Sequence, residues 1–378
     1  MEKNISSWDD FSFSEDLLRG IYNCGFENPS PIQSKAIQPI IDKKDLIAQA
    51  QSGTGKTATF VIGSLASIDL ALQENQVIIM SPVRELSIQT YSVVKDISCM
   101  MKDLKSVLLI GGNKVEEDIF LLKEKPHLIV GTPGRIYDLI EKKYIQIQKI
   151  SLIVIDEADE MLSNTFKQQF QKIMMCCKEN IQICLFSASY PEDIKKLSQT
   201  FLIDPVSIIM KSENLTLDGI SQYYVSLEND EHKLITLKDL YSNISFSQCI
   251  IYCNSVPRVI HLYDALKEDK FPVSYIHSQM STQERTFIFN EFKMGKTRIL
   301  ISTNLTSRGI DIQQINLVIN FDVPKCIHNY LHRIGRTGRW GRKGVAINFI
   351  TYYDIHKLRE IESYYKCNIE ELPEKINI

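Results

Sequence analysis

Two acidic residues in the first half of the chain directly follow a run of apolar residues. Residues 152–155 read Leu-Ile-Val-Ile, which is typical of a buried strand, and Asp156 and Glu157 come next. Ligands of α/β sheets bind beyond the carboxyl ends of the strands. Asp156 could hold Mg²⁺, largely through water, and Glu157 could orient and deprotonate an attacking water. We therefore predict a hydrolytic site at Asp156 and Glu157, the alternative being acids that only stabilise a helix N-terminus.

A glycine-containing segment lies between a predicted strand at 45–48 and a predicted helix at 58–65, which is the setting that a phosphate-binding loop requires. Its residues are Ala50, Gln51, Ser52, Gly53, Thr54, Gly55, Lys56 and Thr57. The two glycines allow backbone N–H groups to turn toward a phosphate, Lys56 supplies positive charge, and Thr57 offers a hydroxyl to Mg²⁺. Ala50 stands where the common pattern has glycine. We expect one ATP per chain, because a second Gly-Lys-Thr at 295–297 precedes a predicted strand.

Short apolar runs alternate with stretches of helical spacing along the chain, which predicts parallel α/β sheets. Because the pattern occurs twice in 378 residues, we predict two α/β domains, at 1–210 and 220–378, with a linker at 211–219. The predicted strands are 45–48, 77–80, 107–110, 127–130, 152–155 and 181–186 in the first domain, and 249–252, 273–276, 298–301, 317–321 and 345–350 in the second.

The composition excludes several classes of protein. A net charge of −3 gives no sign of a permanently basic nucleic-acid binder. The 9 cysteines show no C-x-x-C zinc spacing and suit a reducing compartment. The polar N-terminus predicts no signal peptide, and no apolar run approaches the ~20 residues that cross a bilayer. We expect no membrane association.

The Asp156-Glu-Ala-Asp159 sequence, together with 50–57, resembles the DEAD-box RNA helicases, and the resemblance covers nearly the whole chain. Residues 6–34 look like the Q motif, 82–86, 111–112 and 132–135 like RNA-contacting motifs, and 187–189 like the coupling motif. Residues 308–311 and 332–339 look like motifs five and six. Segments 8–10, 16–21, 58–60 and 341–349 are most similar to the subfamily of translation initiation factor 4A and its exon-junction paralogue.

The resemblance implies two tandem RecA-like domains and a set of site residues. Gln33, whose amide has both a donor and an acceptor, would read adenine, and Arg336 and Arg339 would act as arginine fingers on the γ-phosphate. The implied ATP-binding residues are Trp8, Gln33, 50–57, Asp311, Arg336 and Arg339, with Lys56 among the catalytic residues. The implied coupling residues are Ser187, Ser189, His332 and Arg333. The implied RNA-binding residues are Pro82, Arg84, Gly111, Gly112, Thr132, Pro133, Gly134, Arg135, Arg285, Ser302 and Thr303.

The implied activity is ATP hydrolysis coupled to local, sequence-independent unwinding of RNA. We expect a monomeric, cytoplasmic protein that binds scaffold proteins of translation initiation. The alternative is a nuclear, ATP-locked RNA clamp of the exon-junction type. The chain departs from the family at Val83, Asn113, Gln279, Thr282 and Asn304, mostly in RNA-facing or coupling motifs. We therefore expect ATP binding to be preserved and RNA coupling to be the property that these departures alter.

Overall fold

The computed structural model describes residues 5–51, 53–162, 166–179, 181–190, 195–196, 198–210, 219–306, 314–338 and 343–373. The chain divides into two compact units, Met1–Met210 and Lys211–Ile378. Of the predicted linker, only Gly219 is among the described residues. In the described part of the chain, no helix is both long enough and apolar enough to span a membrane.

Unit 1 is built on a parallel sheet with the strand order β3-β4-β2-β5-β6-β1-β7. Its strands are β1 Leu46–Gln49, β2 Val77–Met80, β3 Ser106–Leu109, β4 Leu128–Gly131, β5 Leu152–Ile155, β6 Gln182–Ser187 and β7 Val206–Ile209. Its helices are α1 Glu15–Asn23, α2 Pro31–Ile41, α3 Lys56–Ala66, α4 Arg84–Ile97, α5 Val115–Lys123, α6 Pro133–Glu141, α7 Ala158–Met161 and α8 Lys167–Cys176, with 3₁₀ turns at Trp8–Asp10 and Ile147–Lys149.

The sheet of unit 1 is buried on both faces. Successive side chains of a strand point to opposite faces, so Leu46 and Ala48 pack into one apolar cluster and Ile47 packs into the other. The central strands β2 and β5 are fully buried, which explains why their sequences are continuous apolar runs. Helices on both faces cover the sheet and leave its strand ends as the accessible edges.

Unit 2 repeats this plan with the parallel order β10-β11-β9-β12-β13-β8-β14. Its strands are β8 Ile220–Ser226, β9 Gln248–Tyr252, β10 Val273–Ile276, β11 Ile299–Ser302, β12 Ile315–Asn320, β13 Gly344–Ile350 and β14 Glu370–Glu371. Its helices are α9 His232–Asn243, α10 Val256–Glu268, α11 Thr282–Lys293, α12 Ile327–Ile334 and α13 Ile355–Tyr365, with a 3₁₀ turn at Asn304–Thr306. Two apolar clusters again lie on the two faces of the sheet.

The predicted fold class is confirmed, and each predicted strand is present within two residues of its expected bounds. Strands β7, β8 and β14 were not predicted. β7 alternates between half-buried and exposed positions, and most positions of β8 are only half-buried. Their sequences therefore contain polar residues instead of a continuous apolar run. β14 has two glutamates and carries no strand signal of its own.

The core of unit 1 provides a test of this packing. Phe170 on α8 is 1% exposed and contacts the Phe201 ring edge-on, with ring centroids 5.1 Å apart. We expect Phe170→Ala to lower the free energy of unfolding by about 3–5 kcal/mol, because it removes buried apolar surface and leaves a cavity. Met175→Ala on the same helix, where the side chain is 84% exposed, should change it by less than ~0.5 kcal/mol. Chemical denaturation of both variants measures the difference, and equal effects would contradict the packing described.

Candidate ATP site and nucleic-acid interface

The segment 50–57 leads from β1 into α3, which begins at Lys56, as the phosphate-loop prediction requires. Gly53 and Gly55 have φ angles of +83° and +97°, a region that favours glycine. A side chain at Gly55 would also come within 2.8 Å of Gln33 Nε2. Lys56 is buried, and its Nζ donates to the Ala50 carbonyl inside the loop. The loop is therefore closed around its own lysine at the N-terminus of α3, a position that suits an anion.

The Q-motif segment supports this loop from the side of α2. Ser30 N donates to Gln33 Oε1 (2.6 Å), and Ser30 Oγ donates to the Thr54 carbonyl (2.9 Å). Gln33 Nε2 lies 3.5 Å from the Gly55 carbonyl. The Gln33 amide thus joins the start of α2 to the phosphate loop, in addition to the adenine contact that the resemblance implies.

Trp8 belongs to the interior of unit 1. Its side chain is fully buried, stacks on Phe11 and donates from Nε1 to the Phe26 carbonyl (3.1 Å). In this arrangement Trp8 anchors the segment that precedes α2 and presents no accessible face to a base.

The acidic pair lies at the carboxyl end of β5. Asp156 N donates to the Met80 carbonyl (2.9 Å) of the neighbouring strand, and Asp156 Oδ1 accepts from Glu157 N (2.9 Å). Glu157 adopts a left-handed φ of +50°, which is uncommon for a residue other than glycine and recurs at functional sites. Both carboxylates are buried. Parallel pairing therefore fixes the backbone of Asp156, and the left-handed conformation of Glu157 sets the direction of its side chain.

Burial raises the pKa of the Asp156 carboxyl above its ordinary value, the Glu157 charge raises it further, and Lys56 opposes both effects. Among the described residues, Glu157 Oε2 is buried without a hydrogen-bond partner. Two buried carboxylates next to one lysine are short of positive charge. Because oxygen ligands of this kind suit a hard divalent cation, the residues present fit Mg²⁺.

The segment 187–189 links the phosphate loop to the acidic residues. Ala50 N donates to the Ser187 carbonyl (3.1 Å), and Ser189 Oγ donates to Asp159 Oδ2 (2.8 Å). Ser187 Oγ accepts from Ser189 N (3.2 Å). The predicted coupling residues of unit 1 thus contact both parts of the candidate ATP site.

The predicted RNA-contacting residues of unit 1 follow three adjacent strands, β3, β4 and β2. Thr132 N donates to the Leu109 carbonyl (3.1 Å), and Ser81 N donates to the Gly131 carbonyl (3.1 Å). The loops that carry 82–84, 111–112 and 132–135 therefore lie on one sheet edge. Gly112 has a φ of +88°, and both Gly112 and Gly134 are exposed. Pro82 and Pro133 are buried and shape these loops, while Arg84 and Thr132 are partly exposed.

The observed partners of Arg135 differ from the RNA contact that the resemblance implies. Its guanidinium forms an ion pair with Asp118, which is 1% exposed, and donates to the Asn113 carbonyl (2.8 Å). The Arg135 side chain is itself only 9% exposed. Arg135 therefore joins α6 to α5 inside unit 1. Sequence analysis did not single out Asp118, because one acid among the three in the first turn of α5 carries no distinguishing signal.

Unit 2 contains the remaining predicted residues. Arg336 is buried directly after α12, and its Nε donates to the His332 carbonyl (3.2 Å). His332 and Arg333 are also buried. Ser302 is fully buried, and its hydroxyl donates to the Thr303 carbonyl (2.9 Å), whereas Thr303 and Arg285 are partly exposed. Ser52, Asp311 and Arg339 lie outside the described residues.

Known families match both units. Residues 30–197 match the DEAD/DEAH box helicase family, and residues 232–341 match the helicase conserved C-terminal domain. The "ATP-dependent RNA helicase eIF4A" of Kluyveromyces lactis is 47% identical over 376 residues, covering 100% of this chain and 95% of the relative. The "Eukaryotic initiation factor 4A" of Drosophila melanogaster is 48% identical over 370 residues, covering 98% and 92%.

A solved structure shows the same fold. Dbp5 of S. cerevisiae bound to RNA and ADP BeF3 superposes with a TM-score of 0.91 at 32% identity, covering 97% of this chain and 95% of that one. The matches to these two relatives cover 100% and 98% of the chain and therefore extend over both units. The chain belongs to the DEAD-box family of ATP-dependent RNA helicases and is close to eIF4A.

Proposed function

We propose that this chain couples ATP hydrolysis to the local unpairing of RNA in translation initiation. The observation that carries the proposal is the convergence of Lys56, Asp156 and Glu157 at one edge of a parallel sheet, next to the segment 187–189. Relatives that share 45–48% identity with the chain are named as eIF4A, which favours translation initiation over the exon-junction alternative.

The residues at this edge have distinct roles in the proposed reaction. Backbone N–H groups of 53–57 and the Lys56 ammonium bind the phosphates of ATP, because a glycine loop at a helix N-terminus favours an anion. Glu157 orients the attacking water and accepts its proton. Asp156 and Thr57 would hold Mg²⁺, which neutralises phosphate charge when it is bound. Arg336 supplies a second positive charge to the γ-phosphate, and Arg339 has the same role. Ser52 and Asp311 are further contacts of ATP in this proposal.

RNA is bound along the sheet edge formed by the loops after β2, β3 and β4. The exposed backbone at Gly112 and Gly134 and the partly exposed Arg84 suit contacts to the sugar-phosphate backbone, which position a strand without reading its sequence. Contacts to the 2′-hydroxyl would distinguish RNA from DNA. We further propose that the chain acts as a cytoplasmic monomer that binds scaffold proteins of translation initiation.

The role of Glu157 is tested by Glu157→Gln, which keeps the shape of the side chain and removes the base. Turnover should fall about 10²–10⁴-fold, the usual contribution of a general base, while ATP and RNA binding persist. Steady-state turnover and equilibrium binding measure the two properties separately. Glu124→Gln is the matched control, since its side chain is 63% exposed and pairs only with Lys105 in the described contacts. Turnover at the wild-type rate in the Glu157 variant would exclude this role.

The role of Arg336 is tested by Arg336→Lys, which keeps the positive charge and loses the planar fork. Because bidentate contact to phosphate requires that fork, hydrolysis should fall more than the affinity for ATP. The comparison of kcat with the Kd of ATP in the wild type and the variant measures the split. A loss of ATP affinity with unchanged kcat would show that Arg336 serves binding instead of the reaction.

A further inference from the structure

Arg333 on α12 is a fully buried cation with an unusual set of partners. Its Nε donates to Asn304 Oδ1 (2.7 Å), and its Nη2 donates to Asn254 Oδ1 (2.8 Å). Its Nη1 donates to Asn320 Oδ1 (3.1 Å) and to the Asp322 carbonyl (2.7 Å). Each of these hydrogen-bond acceptors is a neutral amide oxygen. The guanidinium also lies over the Tyr252 ring, 5.2 Å from its centroid.

The three asparagines come from three neighbouring strands. Asn304 follows β11, Asn254 follows β9, and Asn320 is the last residue of β12. These strands are adjacent in the sheet in the order β11-β9-β12. A single side chain therefore joins three consecutive strand ends at the carboxyl edge of unit 2, and it does so from α12, the helix that leads to Arg336.

Further contacts orient the asparagine oxygens toward Arg333. Asn254 Nδ2 donates to the Val323 carbonyl (2.8 Å), and Asn320 Nδ2 donates to Asn348 Oδ1 (2.8 Å). Asn254 N donates to Asp322 Oδ2 (3.0 Å), and the Asp322 carboxylate also pairs with Arg258 (2.8 Å) and Lys233 (3.4 Å). With their amide nitrogens engaged elsewhere, Asn254 and Asn320 can present only their oxygens to the guanidinium. The arrangement is thus specific to a planar donor at this position.

The neutral partners make the position of Arg333 sensitive to geometry. Burial lowers the pKa of the Arg333 guanidinium to about 10, since most of its solvation is lost. Dipoles stabilise a buried cation only when they point at it closely, and a lysine would offer a compact charge without the fork. A displacement of any one strand end would therefore weaken the hold on the others.

We propose that Arg333 is a positioning residue that fixes the turn at Asn304–Thr306, and Thr303 before it, relative to α12 and Arg336. The inference rests on the proposed function, because Thr303 is a proposed RNA contact and Arg336 a proposed ATP contact. The RNA contact at Thr303 and the contribution of Arg336 to hydrolysis then depend on one side chain that touches neither ligand. The role implied by the resemblance, coupling, is retained, but it is exerted through the interior of unit 2.

The proposal is tested by Arg333→Lys in the full chain. Amide hydrogen exchange at 303–306 should be faster than in the wild type, because the turn loses its anchor. The RNA-stimulated kcat should fall about a hundredfold, as expected when a catalytic group is misplaced by about an ångström, and the RNA concentration for half-maximal stimulation should rise. The KM for ATP should change much less. Arg359→Lys on α13 is the matched control, since its side chain is 63% exposed and pairs with Glu362.

A second variant, Asn304→Asp, keeps the inference falsifiable if Arg333→Lys folds poorly. A carboxylate at this position would accept a stronger, charge-assisted hydrogen bond from Arg333 Nε, so exchange at 303–306 should become slower than in the wild type. Unchanged exchange at this turn in a folded variant would overturn the inference, whatever the turnover. If RNA did not stimulate the ATP turnover of the wild-type protein, the proposed function would be contradicted instead. The two failures are therefore distinguishable.

Discussion

Parallel strand pairing is the constraint on which both candidate sites depend. Ile155 pairs with Met80 on one side and with Leu185 on the other, and Gln49 pairs with Ser187. Because all of these strands run in the same direction, the loops that follow them open on one edge. The phosphate loop, the acidic pair and the segment 187–189 therefore lie together at that edge. The sheet of unit 2 brings the ends of β11, β9 and β12 together for the same reason.

The two edges differ in how they accommodate buried charge. In unit 1, two buried carboxylates face one lysine, which leaves a demand for positive charge that a divalent cation can meet. In unit 2, Arg333 is satisfied by four oriented amide oxygens and needs no further ligand. The first arrangement suits a site that binds and releases a charged substrate. The second suits a permanent structural junction. A mutation there should displace the neighbouring residues and should impair hydrolysis only through that displacement.

The sequence was sufficient for the architecture and for the backbone of the candidate ATP site. Buried parallel strands are continuous apolar runs, so β2 and β5 were predicted with their observed bounds. Edge strands such as β7 carry polar residues, and their pairing is set by neighbours that are distant in sequence. The phosphate loop and acidic pair were predictable because their residue types and flanking elements are both encoded locally.

Side-chain partners were much less predictable than backbone positions. Arg135 and Ser302 stand in motifs that suggest contact with RNA, yet Arg135 pairs with Asp118 and the Ser302 hydroxyl is buried. Trp8 likewise faces the core instead of a ligand. The asparagine shell of Arg333 depends on three segments separated by up to 66 positions, since Asn254 and Asn320 meet only through the sheet. Residue type alone could not indicate which polar side chains form hydrogen bonds or ion pairs inside the fold instead of contacting a ligand.

The most direct test of the account is the ATP turnover of the full chain at increasing concentrations of single-stranded RNA. Single-stranded DNA of the same sequence serves as the comparison, because only RNA offers the 2′-hydroxyl. The account predicts that turnover is slow without nucleic acid, rises with RNA to a plateau, and responds little to DNA. Turnover that is independent of RNA would contradict it.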